Sequence, residues 1–136
     1  MAGTYILYTD GASRGNPGRA AIGAALYRVD NGERTLVDQV SDDIGYATNN
    51  VAEYKAVVAG LEAASSHQPD RLLLRADSQL LIRQLEGRYR VKNPALQELF
   101  LQARKLLRAI PEYVLEHVPR EENVVADALA NAALDR

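Results

Sequence analysis

The chain has 136 residues, of which 47% are hydrophobic and 25% are charged, and its formal net charge is −2. These values are ordinary for a folded globular protein, and the length suits one hydrophobic core, so we expect a single domain over residues 1–136. The absence of cysteine excludes disulfides, thiolate metal sites and cysteine nucleophiles. No apolar stretch has the length of a membrane span and no signal peptide is visible, which predicts a cytoplasmic location without membrane contact.

The first forty residues predict three strands. Residues 4–9 are rich in aromatic and β-branched side chains and lead into Asp10, after which a glycine-rich stretch predicts a turn. A second strand is predicted over residues 20–29 and a third over residues 35–40. Between them lies Asn31-Gly32, a dipeptide that favours hairpin turns. We therefore expect an antiparallel meander.

From residue 50 onward, helices and strands alternate. Apolar residues recur at helical spacing over residues 50–66, with Asn49 and Asn50 as candidate caps and Glu53 completing a capping box. The other predicted elements are a strand, two helices, a strand and a helix, over residues 71–76, 80–86, 94–109, 113–118 and 121–134. The last helix is predicted to face the core through Val125, Leu129, Ala132 and Ala133. This order predicts an α/β fold with a five-stranded mixed sheet, three antiparallel strands and then parallel strands, and helices on both faces.

Four carboxylates stand at the ends of these elements. Asp10 ends the first predicted strand and Asp77 the fourth, whereas Glu53 and Asp127 lie in the first turns of two helices. Taken singly, each acid has an ordinary alternative as a turn former, a helix cap or a solvated charge. In an open α/β sheet, however, strand ends and helix starts converge on one crevice. Four acids there repel one another unless a cation binds, and oxygen ligands favour Mg²⁺ or Mn²⁺.

Four blocks of sequence carry a resemblance to a known family. In chain order they are Tyr8-Thr9-Asp10-Gly11 with Gly15-Asn16-Pro17-Gly18, Thr48-Asn49-Asn50-Val51-Ala52-Glu53, Asp77-Ser78-Gln79, and Asn123 with Asp127-Ala128-Leu129-Ala130. On these blocks the chain resembles type 1 ribonuclease H over nearly its whole length. The resemblance implies a ribonuclease H-like fold and a monomeric, Mg²⁺-dependent endonuclease. Such an enzyme cuts the RNA strand of an RNA/DNA hybrid and leaves a 3′-hydroxyl and a 5′-phosphate.

The resemblance also implies roles for single residues. The four acids become ligands of two Mg²⁺ ions, for which Mn²⁺ is a substitute, and Asp10 becomes the bridge between the ions. Thr48 matches the position that grips a phosphate of the DNA strand. Asn and Gln side chains are suited to base edges and to the 2′-hydroxyls that distinguish RNA from DNA. The other substrate-binding residues in these blocks are Gly11, Asn16, Asn49, Asn50, Gln79 and Asn123.

A histidine completes the implied site. His117 stands ten residues before Asp127, the spacing at which the family often carries a mobile histidine that shuttles protons near the leaving group. Here Val118-Pro119-Arg120 follows, rather than a flexible glycine-rich loop. The alternative is a surface histidine at a strand end, with Arg120 or Glu122 in its catalytic place.

The chain departs from longer members of the family in one connection. Those members insert a basic helix after the helix that follows the third acid, whereas here residues 87–93 run directly into Pro94. The chain has no tryptophan, so the aromatic platform of some relatives is missing or replaced by Tyr89. The basic residues of this connection that we expect to meet substrate phosphates, with a solvated surface as the alternative, are Arg88, Arg90 and Lys92.

Two other classes of function stay open on the sequence alone. One is a module that binds hybrid or double-stranded RNA without cutting it, and the other is a different nuclease or a resolvase on the same fold. Four acids argue against a binding module, because they repel a polyanion. The asparagine-rich loops favour an RNA/DNA hybrid over the substrates of other nucleases.

Overall fold

The structure is a computed structural model that describes residues 3–136. Its centre is one five-stranded sheet in the order β3-β2-β1-β4-β5. The strands are β1 Thr4–Gly15, β2 Gly18–Asp30, β3 Glu33–Ala47, β4 Arg71–Ala76 and β5 Glu112–His117. The helices are α1 Asn49–Ser65, α2 Gln79–Leu85, α3 Pro94–Arg108 and α4 Val124–Leu134, the last preceded by a 3-10 turn at Arg120–Glu122.

The pairing of the strands confirms the predicted mixed sheet. β1, β2 and β3 are antiparallel, whereas β4 is parallel to β1 and β5 is parallel to β4. The hairpin between β2 and β3 turns at Asn31 and Gly32, which both have positive φ, as predicted for this dipeptide. Within the described part of the chain, no helix is long and apolar enough to cross a membrane.

Helices cover both faces of the sheet, as predicted. The larger core lies on one face, where α1, α2 and α3 pack on strand residues such as Leu7, Leu26 and Leu74. On the opposite face, α4 packs its Ala126 against Ile6 of β1, with Tyr8 beside it. The connection from α2 to α3 over residues 86–93 contains no helix, which confirms the short form of the connection.

β1 is longer than predicted, and the turn expected directly after Asp10 is wrong. The strand continues to Gly15 and stays paired with β2 throughout. The parallel pairing with β4, in contrast, ends at Thr9 and Ala76. Asp10 is therefore the first residue of β1 that has lost its neighbour on one side, and this opening in the sheet gives its side chain room.

The start of α1 also differs from the prediction. Thr48 is the N-cap, because its Oγ1 accepts a hydrogen bond from the Val51 N–H at 3.2 Å. Asn49 and Asn50 are the first helical residues and not caps. The predicted capping box is absent from this helix start, so the carboxylate of Glu53 is free to face the end of β1.

The buried side of α4 was predicted incorrectly in part. Val125 is 41% exposed and Ala132 is also exposed, whereas Leu129 is half-buried and Ala133 is buried as expected. The helix lies so close to the sheet that small side chains occupy most of the contact. The residues of α4 that are buried are Ala126, Ala130, Ala133 and Leu134.

Candidate active site

The four predicted acids come together at one end of the sheet. Asp10 lies where β1 separates from β4, and Asp77 directly follows β4. Glu53 and Asp127 lie in the first turns of α1 and α4, which begin at this same end on opposite faces. All four residues are partly buried. The order of the strands thus brings four elements, each with one acid, to a single crevice.

Two glycines allow both helices to approach Asp10. A Cβ atom on Gly11, the next residue, would lie 2.3 Å from the carbonyl carbon of Ala52 and 2.4 Å from the nitrogen of Glu53. A Cβ atom on Gly23, the cross-strand partner of Asp10, would lie 2.1 Å from the carbonyl oxygen of Ala126. Any larger residue would push α1 or α4 away. The absence of a Cβ atom at Gly11 and Gly23 therefore allows the close approach of the helices that carry Glu53 and Asp127.

The acids oppose one another's charge. Burial raises the pKa of Asp10 to about 8, with further contributions from repulsion by Asp77 and from a hydrogen bond with Asp127. Burial likewise raises the pKa of Glu53 to about 7, against a hydrogen bond with Ser78 that lowers it, and repulsion by Asp77 adds to the rise. Ionisation of the whole group is thus unfavourable without a cation.

Neutral amides, and no basic side chains, hold these carboxylates. Three asparagine side chains each donate to one acid, and the pairs are Asn49 to Glu53 at 3.5 Å, Asn123 to Asp77 at 3.3 Å and Asn131 to Asp127 at 3.3 Å. Among residues 3–136, no Lys, Arg or His forms an ion pair with any of the four acids. The amides orient the carboxylates without neutralising them, so the negative charge is left for a ligand to compensate.

This donor set fits a hard divalent cation in an open site. In the described chain, no three acidic or histidine side chains converge tightly enough to enclose an ion. Mg²⁺ usually takes only one or two carboxylates and keeps waters or substrate phosphate oxygens as its other ligands. Asp10 and the three acids that act on its pKa, Asp77, Asp127 and Glu53, offer carboxylates for such a site. The crevice is therefore suited to an ion whose coordination a phosphate completes.

Four of the predicted substrate-binding residues form the exposed rim of the crevice, and they are Asn16, Thr48, Asn50 and Gln79. Asn16, in the turn between β1 and β2, accepts a hydrogen bond through Oδ1 from the Asn49 backbone N–H at 3.1 Å. This bond ties the hairpin to the start of α1. Thr48 and Asn50 are exposed beside it, and Gln79 is exposed at the start of α2. Asn49 contacts Glu53, and Gln79 follows Asp77 by two residues, so these groups lie beside two of the acids.

Two of the predicted substrate-binding residues are buried against the protein itself. Asn123 is only 1% exposed, and its Nδ2 donates to the Thr9 carbonyl oxygen at 2.9 Å as well as to Asp77. The amide hydrogens of Asn123 are thus used inside the protein, and a substrate contact of this residue stays a prediction. Gly11 is buried beneath α1, which accounts for the glycine through packing. A substrate contact of Gly11 stays a prediction.

His117 and the basic connection lie at the surface. His117 is the last residue of β5, exposed, and pairs with Ala76, the residue before Asp77. Its backbone neighbour Val118 is buried and donates to the Ala76 carbonyl oxygen at 3.0 Å, so the strand end is anchored. The three basic residues of the connection after α2 are exposed and contact none of the four acids, and they are Arg88, Arg90 and Lys92. Their substrate contacts stay predictions.

The sequence analysis missed two residues that contact the acids. Ser78 caps α2, accepting from the Leu81 N–H at 3.2 Å, and also hydrogen-bonds Glu53. Its signal was a serine at a helix start, next to a candidate metal ligand. Asn131 lies four residues after Asp127, a spacing that places both side chains on one side of a helix.

The fold and the crevice define a class: an α/β protein with an open, carboxylate-lined site of the kind that serves phosphoryl chemistry. The Reverse transcriptase-like family model matches residues 8–133. Ribonuclease HI of Halobacterium salinarum is 49% identical over 133 residues, which are 98% of this chain and 65% of that protein. The chain also matches mycobacterial proteins at 41% identity and spans 35% of their length.

Solved structures agree with this assignment. The N-terminal RNase H domain of Rv2228c from Mycobacterium tuberculosis has a TM-score of 0.92 and 40% identity, over 97% of this chain and 99% of that chain. LC11-RNase H1, isolated from compost by a metagenomic approach, was solved in complex with an RNA/DNA hybrid. That complex has a TM-score of 0.86 and 39% identity over 96% of both chains. The chain belongs to the type 1 ribonuclease H family.

Proposed function

We propose that this chain is an endoribonuclease that hydrolyses the RNA strand of RNA/DNA hybrids, leaving 5′-phosphate and 3′-hydroxyl ends. The observation that carries the proposal is the crevice itself, where four acids lie together without a basic partner among the described residues and the pKa values of Asp10 and Glu53 are raised. Membership of the ribonuclease H family and similarity to LC11-RNase H1, solved with a hybrid, support the choice of substrate.

Enzymes of this family generally use divalent metal ions. We propose two Mg²⁺ ions here, with Mn²⁺ as a substitute, which Asp10, Glu53, Asp77 and Asp127 would hold. Such a pair of ions, when bound, activates the attacking water and stabilises the leaving 3′-oxygen. The protein itself contributes the orientation of the carboxylates, which the asparagine amides fix by hydrogen bonds.

The rim residues then position the duplex. Thr48, exposed at the N-cap of α1, is suited to a phosphate, because the N-terminus of a helix attracts anions. Asn50 and Gln79 are exposed on either side of the acids and are suited to base edges and 2′-hydroxyls. His117, exposed at the end of β5 beside the strand that leads to Asp77, is our candidate for the group that carries a proton near the leaving oxygen.

One assay tests the function. The protein is incubated with RNA/DNA, RNA/RNA and DNA/DNA duplexes of one sequence, each strand labelled in turn, with Mg²⁺, with Mn²⁺ or with chelator. We expect metal-dependent internal cuts in the RNA strand of the hybrid alone, with ends that polynucleotide ligase and phosphatase treatment identify. Binding of the hybrid without cleavage would indicate a binding module. Cleavage of the DNA/DNA duplex would indicate a different nuclease.

Three further properties belong to this proposal. We expect a monomer, a cytoplasmic location and one domain over residues 1–136. Sedimentation at several protein concentrations tests the monomer, and limited proteolysis tests the single domain. Localisation of a tagged copy tests the compartment.

A further inference from the structure

We infer that Asn123 is a positioning residue that orients Asp77 and fixes the distance between the end of β1 and the start of α4. The inference rests on the proposed ribonuclease H activity for its kinetic readout, although its structural basis is independent of that activity. It replaces the substrate contact that the sequence suggested for this residue.

The side chain of Asn123 links two parts of the crevice. Its Nδ2 donates to the carbonyl oxygen of Thr9 at 2.9 Å and to Oδ2 of Asp77 at 3.3 Å. Both partners can only accept hydrogen bonds, so the nitrogen of the amide must face them and its orientation is fixed. Thr9 directly precedes Asp10. One buried amide therefore holds Asp77 against the segment that carries Asp10.

The main chain of Asn123 reaches a third acid. Its carbonyl oxygen accepts from the Asp127 N–H at 3.1 Å, the hydrogen bond that opens α4. A displacement of Asn123 would thus move the first turn of α4, and Asp127 with it, relative to β1. Three of the four acids depend on this residue, by side chain or by main chain.

The type of residue suits this place in the crevice. An aspartate here would accept where both neighbours need a donor, and it would add a fifth negative charge. A lysine would neutralise Asp77 and compete with a cation. The amide donates two hydrogen bonds without a charge, so it orients the carboxylate and leaves its charge available.

One atom of Asn123 indicates that stability alone does not account for the residue. Its Oδ1 is buried and has no hydrogen-bond partner among residues 3–136. A buried acceptor without a donor opposes folding. The choice of asparagine therefore follows from the two acceptors on the other side of the amide, which define the geometry of the acids.

The test compares Asn123→Ala with the parent and with Asn93→Ala. Asn93 is a matched asparagine because its Oδ1 caps α3, accepting from the Ala95 N–H at 2.9 Å. Its side chain contacts none of the four acids. For each protein we would measure the melting temperature in chelator, the Mn²⁺ dissociation constant by calorimetry without substrate, and kcat and KM for hybrid cleavage.

We expect Asn123→Ala to weaken Mn²⁺ binding and to lower kcat, each by about 10- to 100-fold, with KM within about twofold of the parent. Asn93→Ala should lower the melting temperature and leave the other quantities unchanged. Parent-like Mn²⁺ affinity and kcat in Asn123→Ala would overturn the inference. So would a rise in KM alone, which would restore the substrate contact.

Two outcomes separate this inference from the proposed function. If the parent cleaves no hybrid, the Mn²⁺ affinities of the three proteins still decide the role of Asn123. If Asn123→Ala does not fold, Asn123→Asp keeps the shape of the side chain and removes both donors. Failure of both variants to fold in chelator would overturn the inference, because Asn123 would then be a residue of the folding core.

Discussion

Asp10 lies where burial and acidic neighbours all oppose its ionisation. Burial is the largest cause of its raised pKa, and Asp77, Asp127 and Glu53 add repulsion. No basic side chain of the described residues compensates, since the groups outside the four acids that hydrogen-bond them are asparagine amides and the Ser78 hydroxyl. The folded protein therefore keeps a group of acids that repel one another, and a bound cation would relieve this repulsion.

Replacing Asp10 with asparagine separates stability from activity. The Asp10→Asn variant removes one of the repelling charges at nearly constant shape. We expect its melting temperature in chelator at pH 8 to rise by about 2–5 °C. Hybrid cleavage should fall on the order of a thousandfold or more, because one of the carboxylates proposed to hold the metal ions is lost. Asp42→Asn, an exposed acid on β3, is the control and should change neither quantity. Parent-like turnover in Asp10→Asn would refute the two-metal mechanism.

The raised pKa values also predict how stability depends on pH. Asp10, with a pKa of about 8, and Glu53, with a pKa of about 7, bind protons more tightly in the folded than in the unfolded chain. Their contribution is complete below the unfolded values near pH 4 and is lost as the pH rises through 7 to 8. In chelator, the free energy of unfolding from urea titrations should therefore fall between pH 5 and pH 8.

Mg²⁺ should restore stability at pH 8 and have little effect at pH 5, where protonated acids cannot bind it. The Asp10→Asn variant is the control and should show a flatter dependence on pH in chelator. A free energy of unfolding that rises from pH 5 to pH 8 without metal would contradict the charge crowding described for the crevice.

The exposed position of His117 is compatible with a role as proton carrier and with a surface histidine, and its substitution distinguishes the two. If it carries a proton near the leaving group, His117→Ala should lower kcat by roughly 10- to 1,000-fold with little change in KM. His67 is the matched control, because it pairs with Asp38 at 3.3 Å and packs on Tyr5 instead. His67→Ala should change stability and not kcat. An unchanged kcat in His117→Ala would make it a surface histidine.

At the scale of elements, the sequence predicted the second half of the chain more accurately than the first. The strand over residues 71–76 and the helix that begins at Pro94 have the predicted starts, because apolar spacing and a proline mark them locally. β1 and β3 were predicted too short. Gly11 in β1 indicates a turn by local rules, whereas in the fold it allows a contact with α1, which is distant in sequence, as Gly23 of β2 does with α4. Local patterns carry no information about such approaches.

The same limit applies to the site. The four acids could be predicted, because strand ends and helix starts are readable from the sequence and converge in this class of sheet. The burial of Asn123 could not, since it depends on contacts with Thr9 and Asp77, both of which lie more than forty residues away. Nothing local distinguishes a buried asparagine from one in a solvated loop.

Gly23 tests whether close approach of α4 holds the site together. In Gly23→Ala the new Cβ would clash with the Ala126 carbonyl oxygen, so α4 must move away from β2. We expect the free energy of unfolding, measured by urea denaturation, to fall by about 2 kcal/mol or more. Gly3→Ala is the control, because its Cβ would lie 3.8 Å from the Arg28 guanidinium, an ordinary contact. Equal stabilities of the two variants would show that α4 adapts without cost.

At the scale of the whole molecule, charge is divided between the crevice and one connection. The net charge of −2 hides a basic stretch that begins at Arg83 in α2 and continues along α3. Two of its arginines also cover aromatic rings, Arg83 over Tyr89 and Arg104 over Phe100. A polyanion repelled by the acids can be held by this stretch, since phosphate contacts depend on local charge rather than on the net charge.

The last prediction concerns the salt dependence of hybrid binding. Each phosphate contact adds about 0.9 to the slope of log K against log salt for a duplex of B-DNA charge density. The variant with Arg88, Arg90 and Lys92 all changed to alanine should therefore bind hybrid more weakly, with a slope smaller by about 2–3. At saturating substrate its kcat should match the parent, because these side chains contact none of the acids.

The matched control removes three arginines from the opposite end of the sheet, Arg28, Arg34 and Arg71, which pair in the strand register with Tyr5, Val29 and Thr4 respectively. It changes the net charge by the same amount, so it separates local contacts from the overall field. We expect its affinity and slope, measured by fluorescence anisotropy from low to high salt in chelator, to stay close to those of the parent. If both triple variants flatten the slope equally, the connection after α2 makes no specific phosphate contacts, and the duplex is held by the rim of the crevice alone.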